Sequence, residues 1–103
     1  MELPMDYTAF EKSLIKPSVP KHWPESLQSL WYIAKGNWEA SHNIAQDLYT
    51  DIGSWIHAHL HRVEGDNFNA RYWYGQAGRP YCTNSFEDEV KEIADHILST
   101  STI

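Results

Sequence analysis

The chain has 103 residues, one cysteine and a formal net charge of −6 from fourteen acidic and eight basic residues. Its length fits one domain, 1–103, with no room for a second. The scattered basic residues form no stripe, which argues against a nucleic-acid partner and against an anionic membrane surface.

Residues 1–23 read as a lead-in. Met1–Phe10 carries Glu2 and Asp6 and lacks the basic and apolar regions of a signal peptide. Asp6–Ile15 has the spacing of a short helix, with Met5, Phe10 and Leu14 on one side. Pro17, Pro20 and Pro24 then hold Lys16–Trp23 extended or turned. A longer helix starts at Pro24, carries Leu27, Leu30, Trp31 and Ala34, and stops at Gly36. Asn37 caps the next. It is expected to run to about Tyr49, with Trp38, Ala45, Leu48 and Tyr49 as its apolar stripe and His42 embedded there. Thr50 or Asp51 caps a third, whose Ile52, Ile56, Leu60 and Val63 share one face and which Gly65 ends. Asp66 or Asn67 caps a fourth, with Ala70, Trp73, Tyr74 and Ala77 inward, and Gly78, Arg79 and Pro80 break it. Residues 81–84 form a loop. Ser85 and Asp88 resemble a capping box, and a last helix, about 86–99, turns Phe86, Val90, Ile93 and Ile97 inward.

No segment alternates with period two, as a strand would, and no run approaches the roughly 18 apolar residues of a membrane span. The expected fold is all-α: an irregular bundle of four main helices plus a short N-terminal helix and a Pro-rich lead-in. The lone Cys82 allows no internal disulfide, so a soluble cytoplasmic protein is expected.

The chemistry concentrates between Trp55 and Arg79, where His, Glu, Asp, Asn, Arg and aromatic residues crowd together. At about 100° per residue, His57, His61 and Glu64 fall within an arc of roughly 60° on the third helix. Two imidazoles at i and i+4 with a nearby carboxylate suit zinc, iron, manganese or nickel, and His42 or Asp66 is the natural further ligand. Three readings stand side by side. One is a divalent metal held by His42, His57, His61 and Glu64. Another is a polar pocket for a small molecule, with His57, His61 and Glu64 as the proton-handling groups of any catalysis and with His42, Gln46, Asp66, Asn69, Tyr72 and Arg79 binding the ligand. The third is a solvated or structural face, because the arc lies about 100° from the centre of the apolar stripe.

His59, on the apolar face, reads as a core histidine satisfied by a partner; His22 and His96 look peripheral. Gly65 and Asp66 read as helix punctuation. Arg62 or Arg79 would hold an acidic ligand, or lock Glu64 and Asp66 in place. Tyr72 is expected outward, with Trp73 and Tyr74 inward. Neither the HExxH zinc motif nor the E-x-x-H pair of di-iron bundles is present, and one cysteine with distant histidines is a very weak nucleophile signal.

The string from Trp38 to Arg79 includes His42 and Gln46. It continues as Trp55-x-His57-Ala58-x-Leu60-His61-Arg62-x-Glu64-Gly65-Asp66-x-x-Asn69-Ala70-x-Tyr72-Trp73-Tyr74-x-x-Ala77-Gly78-Arg79. It resembles a small family of uncharacterised proteins. That resemblance implies no activity, and whether the chain is an enzyme stays open. The choice lies between a small-molecule-binding or catalytic domain and a homodimeric or partner-binding module whose polar cluster is structural.

Overall fold

The computed structural model describes residues 3–100; Met1 and Glu2, at the start of the lead-in, and residues 101–103 lie outside them. The described residues form α1 (Tyr7–Ser13), α2 (Glu25–Ala34), α3 (Trp38–Ala45), α4 (Asp51–Val63), α5 (Asn67–Ala77) and α6 (Phe86–Thr100), and no strand. The fold is all-α. α2, α4, α5 and α6 are the long elements of the bundle, and α1 and α3 are short.

Polar side chains set most of the helix starts. Asp6, Asn37, Thr50 and Asp66 each accept a hydrogen bond from the backbone N–H three residues on, and Ser85 Oγ accepts from Asp88 N. Such caps contribute about 1 kcal/mol each. Gly36 and Gly65, at φ +85° and +84°, turn the chain between α2 and α3 and between α4 and α5. Glycine adopts that conformation without steric cost, so both helix pairs fold back on themselves as tight hairpins.

α3 ends at Ala45 rather than near Tyr49. The chain turns there so that the Leu48 carbonyl lies against Gly53; a Cβ on Gly53 would sit 2.3 Å from that oxygen. The turn throws Tyr49 outward, so its ring is 93 % exposed instead of completing the apolar stripe. Phe86 also departs from its expected inward position. It is 46 % exposed and lies under the Arg62 guanidinium, 4.7 Å from ring centroid to carbon. Met5 does not join Phe10, and stands in solvent.

α4 occupies the centre. It packs most extensively against α5 and also touches α2, α3 and α6. Trp55, Ile56, His57, Ala58, His59 and Leu60 are buried in unbroken succession. A helix enclosed on several sides has no solvent flank along that stretch. His57 therefore points at other helices rather than at water, while His61 is half-buried and Glu64, at the far end of the arc, is exposed. Ile56 and Leu60 of α4 are fully buried, as are Phe10, Leu27, Leu30 and Ile93 of the other helices, each contributing roughly 1.5–3 kcal/mol of apolar transfer. Among the described residues no helix is long and apolar enough to cross a membrane.

Candidate functional site

α3 and α4 run close enough to bring His42 Nε2 within 3.1 Å of His57 Nε2. One helical turn further along α4, His61 stacks on His57 with centroids 4.9 Å apart and planes 18° apart. His42 stands almost perpendicular to both, at 86° to His57 and 77° to His61. Each of the three offers a ring nitrogen such that all three atoms lie within 4.8 Å of one another.

Two tryptophans hold this arrangement. Trp38 stacks on His42 at 4.7 Å and is itself fixed by an N–H donated to the Leu60 carbonyl. Trp73, from α5, stacks on His57 at 4.0 Å with planes 12° apart. On the outer side, His61 Nδ1 lies 2.7 Å from Glu64 Oε1 and 4.0 Å from Asp66 Oδ2. When Nδ1–H donates to Glu64, the His61 Nε2 lone pair is left as an acceptor or ligand. Burial, reinforced by His42 and His61, pushes His57 down to about 4. Burial and then His61 also lower His42, with Glu64 opposing. His57 is therefore a neutral imidazole at pH 7, with a lone pair to give.

A second polar centre lies on another side of α4, around Glu89 of α6, which is wholly buried. Its Oε1 accepts from His59 Nδ1 at 2.6 Å and from Arg62 Nε and Nη2 at 3.2 and 3.0 Å. Its Oε2 accepts from Tyr74 OH at 2.5 Å and Trp55 Nε1 at 3.1 Å. Burial alone would raise the carboxyl group, but the hydrogen bonds from His59, Tyr74 and Trp55 outweigh it and bring Glu89 down to about 2. Burial and the same carboxylate push the Tyr74 hydroxyl up. With every lone-pair direction taken, Glu89 is an internal tie between α4, α5 and α6 rather than a group open to a ligand. Cys82 lies beside it, and burial raises its thiol, which keeps the sulfur protonated and a poor nucleophile.

The structure thus brings His42, His57, His61, Glu64 and Asp66 together. Gln46 and Tyr72 line a neighbouring cleft that His57 also borders. Asn69 is spent on Asp66, giving its backbone N–H and its amide to that carboxylate. Arg79 is elsewhere: its guanidinium covers the Trp55 ring at 3.4 Å and approaches His96 at 3.5 Å. Neither arginine locks Glu64 or Asp66, since Arg62 is committed to Glu89 and to the Asn84 carbonyl. His59 is the satisfied core histidine expected of its position.

Glu89 itself was not picked out from the sequence. The available signal was its register, because it falls four residues before Ile93 and eight before Ile97, on the inward stripe of α6. An acid there requires buried donors. No family model, no curated protein and no solved structure matches the chain.

Proposed function

We propose that the protein is a metal-binding helical domain in which His42, His57 and His61 supply three imidazoles to one divalent transition ion, zinc being the best fit. The observation that carries this reading is the convergence of three ring nitrogens, two of them 3.1 Å apart. Ligands at about 2.0–2.1 Å from a tetrahedral zinc are separated by about 3.4 Å, so the pair is already near ligating distance. Glu64 orients His61 from outside, as carboxylates commonly do for metal-bound histidines. Trp38 and Trp73 hold the other two rings. Three protein ligands leave a fourth position for water or a small molecule, the arrangement used by catalytic zinc, where bound water ionises near neutral pH. The free thiol of Cys82 is compatible with a reducing cytoplasm.

The test is a titration of chelator-stripped protein with cobalt(II) and zinc. One equivalent of cobalt should give the intense visible bands of a tetrahedral site, and zinc should displace it. His42→Gln and His57→Gln should abolish the bands, and Glu64→Ala should weaken binding about 10–100-fold. A protein that takes up no stoichiometric metal and shows no thermal shift with zinc, cobalt or nickel refutes the reading.

A second reading is favoured by Phe68, 82 % exposed, and Tyr72, 54 % exposed, one turn apart on α5. These rings form a contact face for a second copy or another protein. Light scattering tests the first case: Phe68→Ser together with Tyr72→Ser should convert a dimer to a monomer, and a wild-type monomer at all concentrations removes the homodimer.

A further inference from the structure

A cleft of about 390 Å³ opens where the turn between α3 and α4 meets α5. Tyr72 and Trp73 stand at 87° to each other with centroids 5.2 Å apart, which makes two walls of an aromatic corner. Tyr49, which the close approach of Leu48 to Gly53 turns out of the core, lines the cleft with them. Asp51 is the carboxylate on the lining, and no Lys or Arg contributes to it.

These features agree in sign. Ring faces carry negative potential and attract cations. Asp51 adds a carboxylate, whose charge the N-terminus of α4 offsets only in part, and no basic side chain opposes it. The chain as a whole carries a formal charge of −6, which draws cations and repels anions. An anionic ligand would be repelled by Asp51, and a neutral one would gain a hydrogen bond from it but no charge attraction.

We propose that this cleft binds a small organic cation, with a methylated ammonium group seated in the Tyr72–Trp73 corner and its charge facing Asp51. His57 borders the cleft and stacks on Trp73, so the two sites adjoin, but binding needs no metal and no imidazole of His42 or His61; it goes beyond the metal-centre reading and does not depend on it.

The experiment compares choline with 3,3-dimethylbutan-1-ol, which has the same shape and no charge, using metal-free protein and following the Trp73 indole N–H by NMR. Choline should give a saturable shift. The uncharged isostere should bind about ten-fold more weakly, as a cation–π contact with a carboxylate nearby implies. Tyr72→Leu and Asp51→Asn should each weaken choline several-fold while leaving cobalt binding intact, since neither side chain belongs to the three-histidine centre. Repeating the titration on His42→Gln should give the same choline affinity, so loss of the metal reading leaves this result standing. Equal binding of the two probes, or no saturable shift with choline, overturns the proposal.

Discussion

Two histidines two residues apart on α4 meet opposite surroundings. His57 faces other imidazoles and a tryptophan ring, whereas His59 faces the carboxylate of Glu89. Removing that carboxylate strands four donor side chains in the interior. Glu89→Leu should therefore cost about 3–5 kcal/mol, read as a lowered denaturant midpoint, with Glu89→Gln losing less.

Acid should act in two windows on the metal-free protein. His57 has a folded pKa of about 4 against 6.5 in the unfolded chain. The unfolded state takes up that proton first, and stability falls as pH drops from 6.5 through 4. Glu89 is depressed from 4.5 to about 2, so its contribution is complete above 4.5 and is lost as pH falls toward 2. Melting temperatures measured from pH 8 to pH 3 should show both declines, and His57→Gln should make the upper one shallower without touching the lower, His42, which burial also lowers, keeping its own share. A profile unchanged by His57→Gln would mean that the imidazole is not held neutral.

At the scale of the helix, α3 and α4 owe their spacing to one glycine. The Leu48 carbonyl occupies the room a Gly53 side chain would need. Gly53→Ala should destabilise by about 1–3 kcal/mol, since backbone rather than a flexible side chain must give way. It should also disturb the His42–His57 contact, visible as weaker cobalt binding. Gly75→Ala provides the contrast: a Cβ there meets nothing within 4 Å, and replacing helical glycine should stabilise α5 by about 0.5–1 kcal/mol. Thermal melts of the two variants should therefore move in opposite directions.

The caps at Asn37 and Ser85 and the stops at Gly36, Gly65 and Gly78 were legible as local signals, because each acts within a few residues of itself; at the starts of α4 and α5 those signals allowed Thr50 or Asp51 and Asp66 or Asn67, and the fold uses Thr50 and Asp66. The early end of α3 was not, because it depends on a contact between Leu48 and Gly53 made only when the turn packs on α4.

For the molecule as a whole, α4 is both the core and the platform of the proposed site. Metal binding and stability must then be linked. Zinc at about 100 times its Kd should add about 2.7 kcal/mol to the folded state. In a domain of this length each kcal/mol raises Tm by about 4–8 °C, so a rise of more than about 10 °C is expected on zinc addition. Differential scanning calorimetry of wild type and His42→Gln should show that rise in the first and not in the second.

The local rules were enough to establish an all-helical chain, where most of its helices begin and stop, and that His57, His61 and Glu64 share a helix face. These follow from spacing and capping, which a linear chain carries in itself. The burial of His57, the approach of His42 across from α3, the tryptophan covers and the pairing of Glu89 with His59, Arg62, Tyr74 and Trp55 were decided only in three dimensions. Periodicity describes one helix against one apolar side, and it stops discriminating when neighbours enclose the helix on several sides, as they do α4.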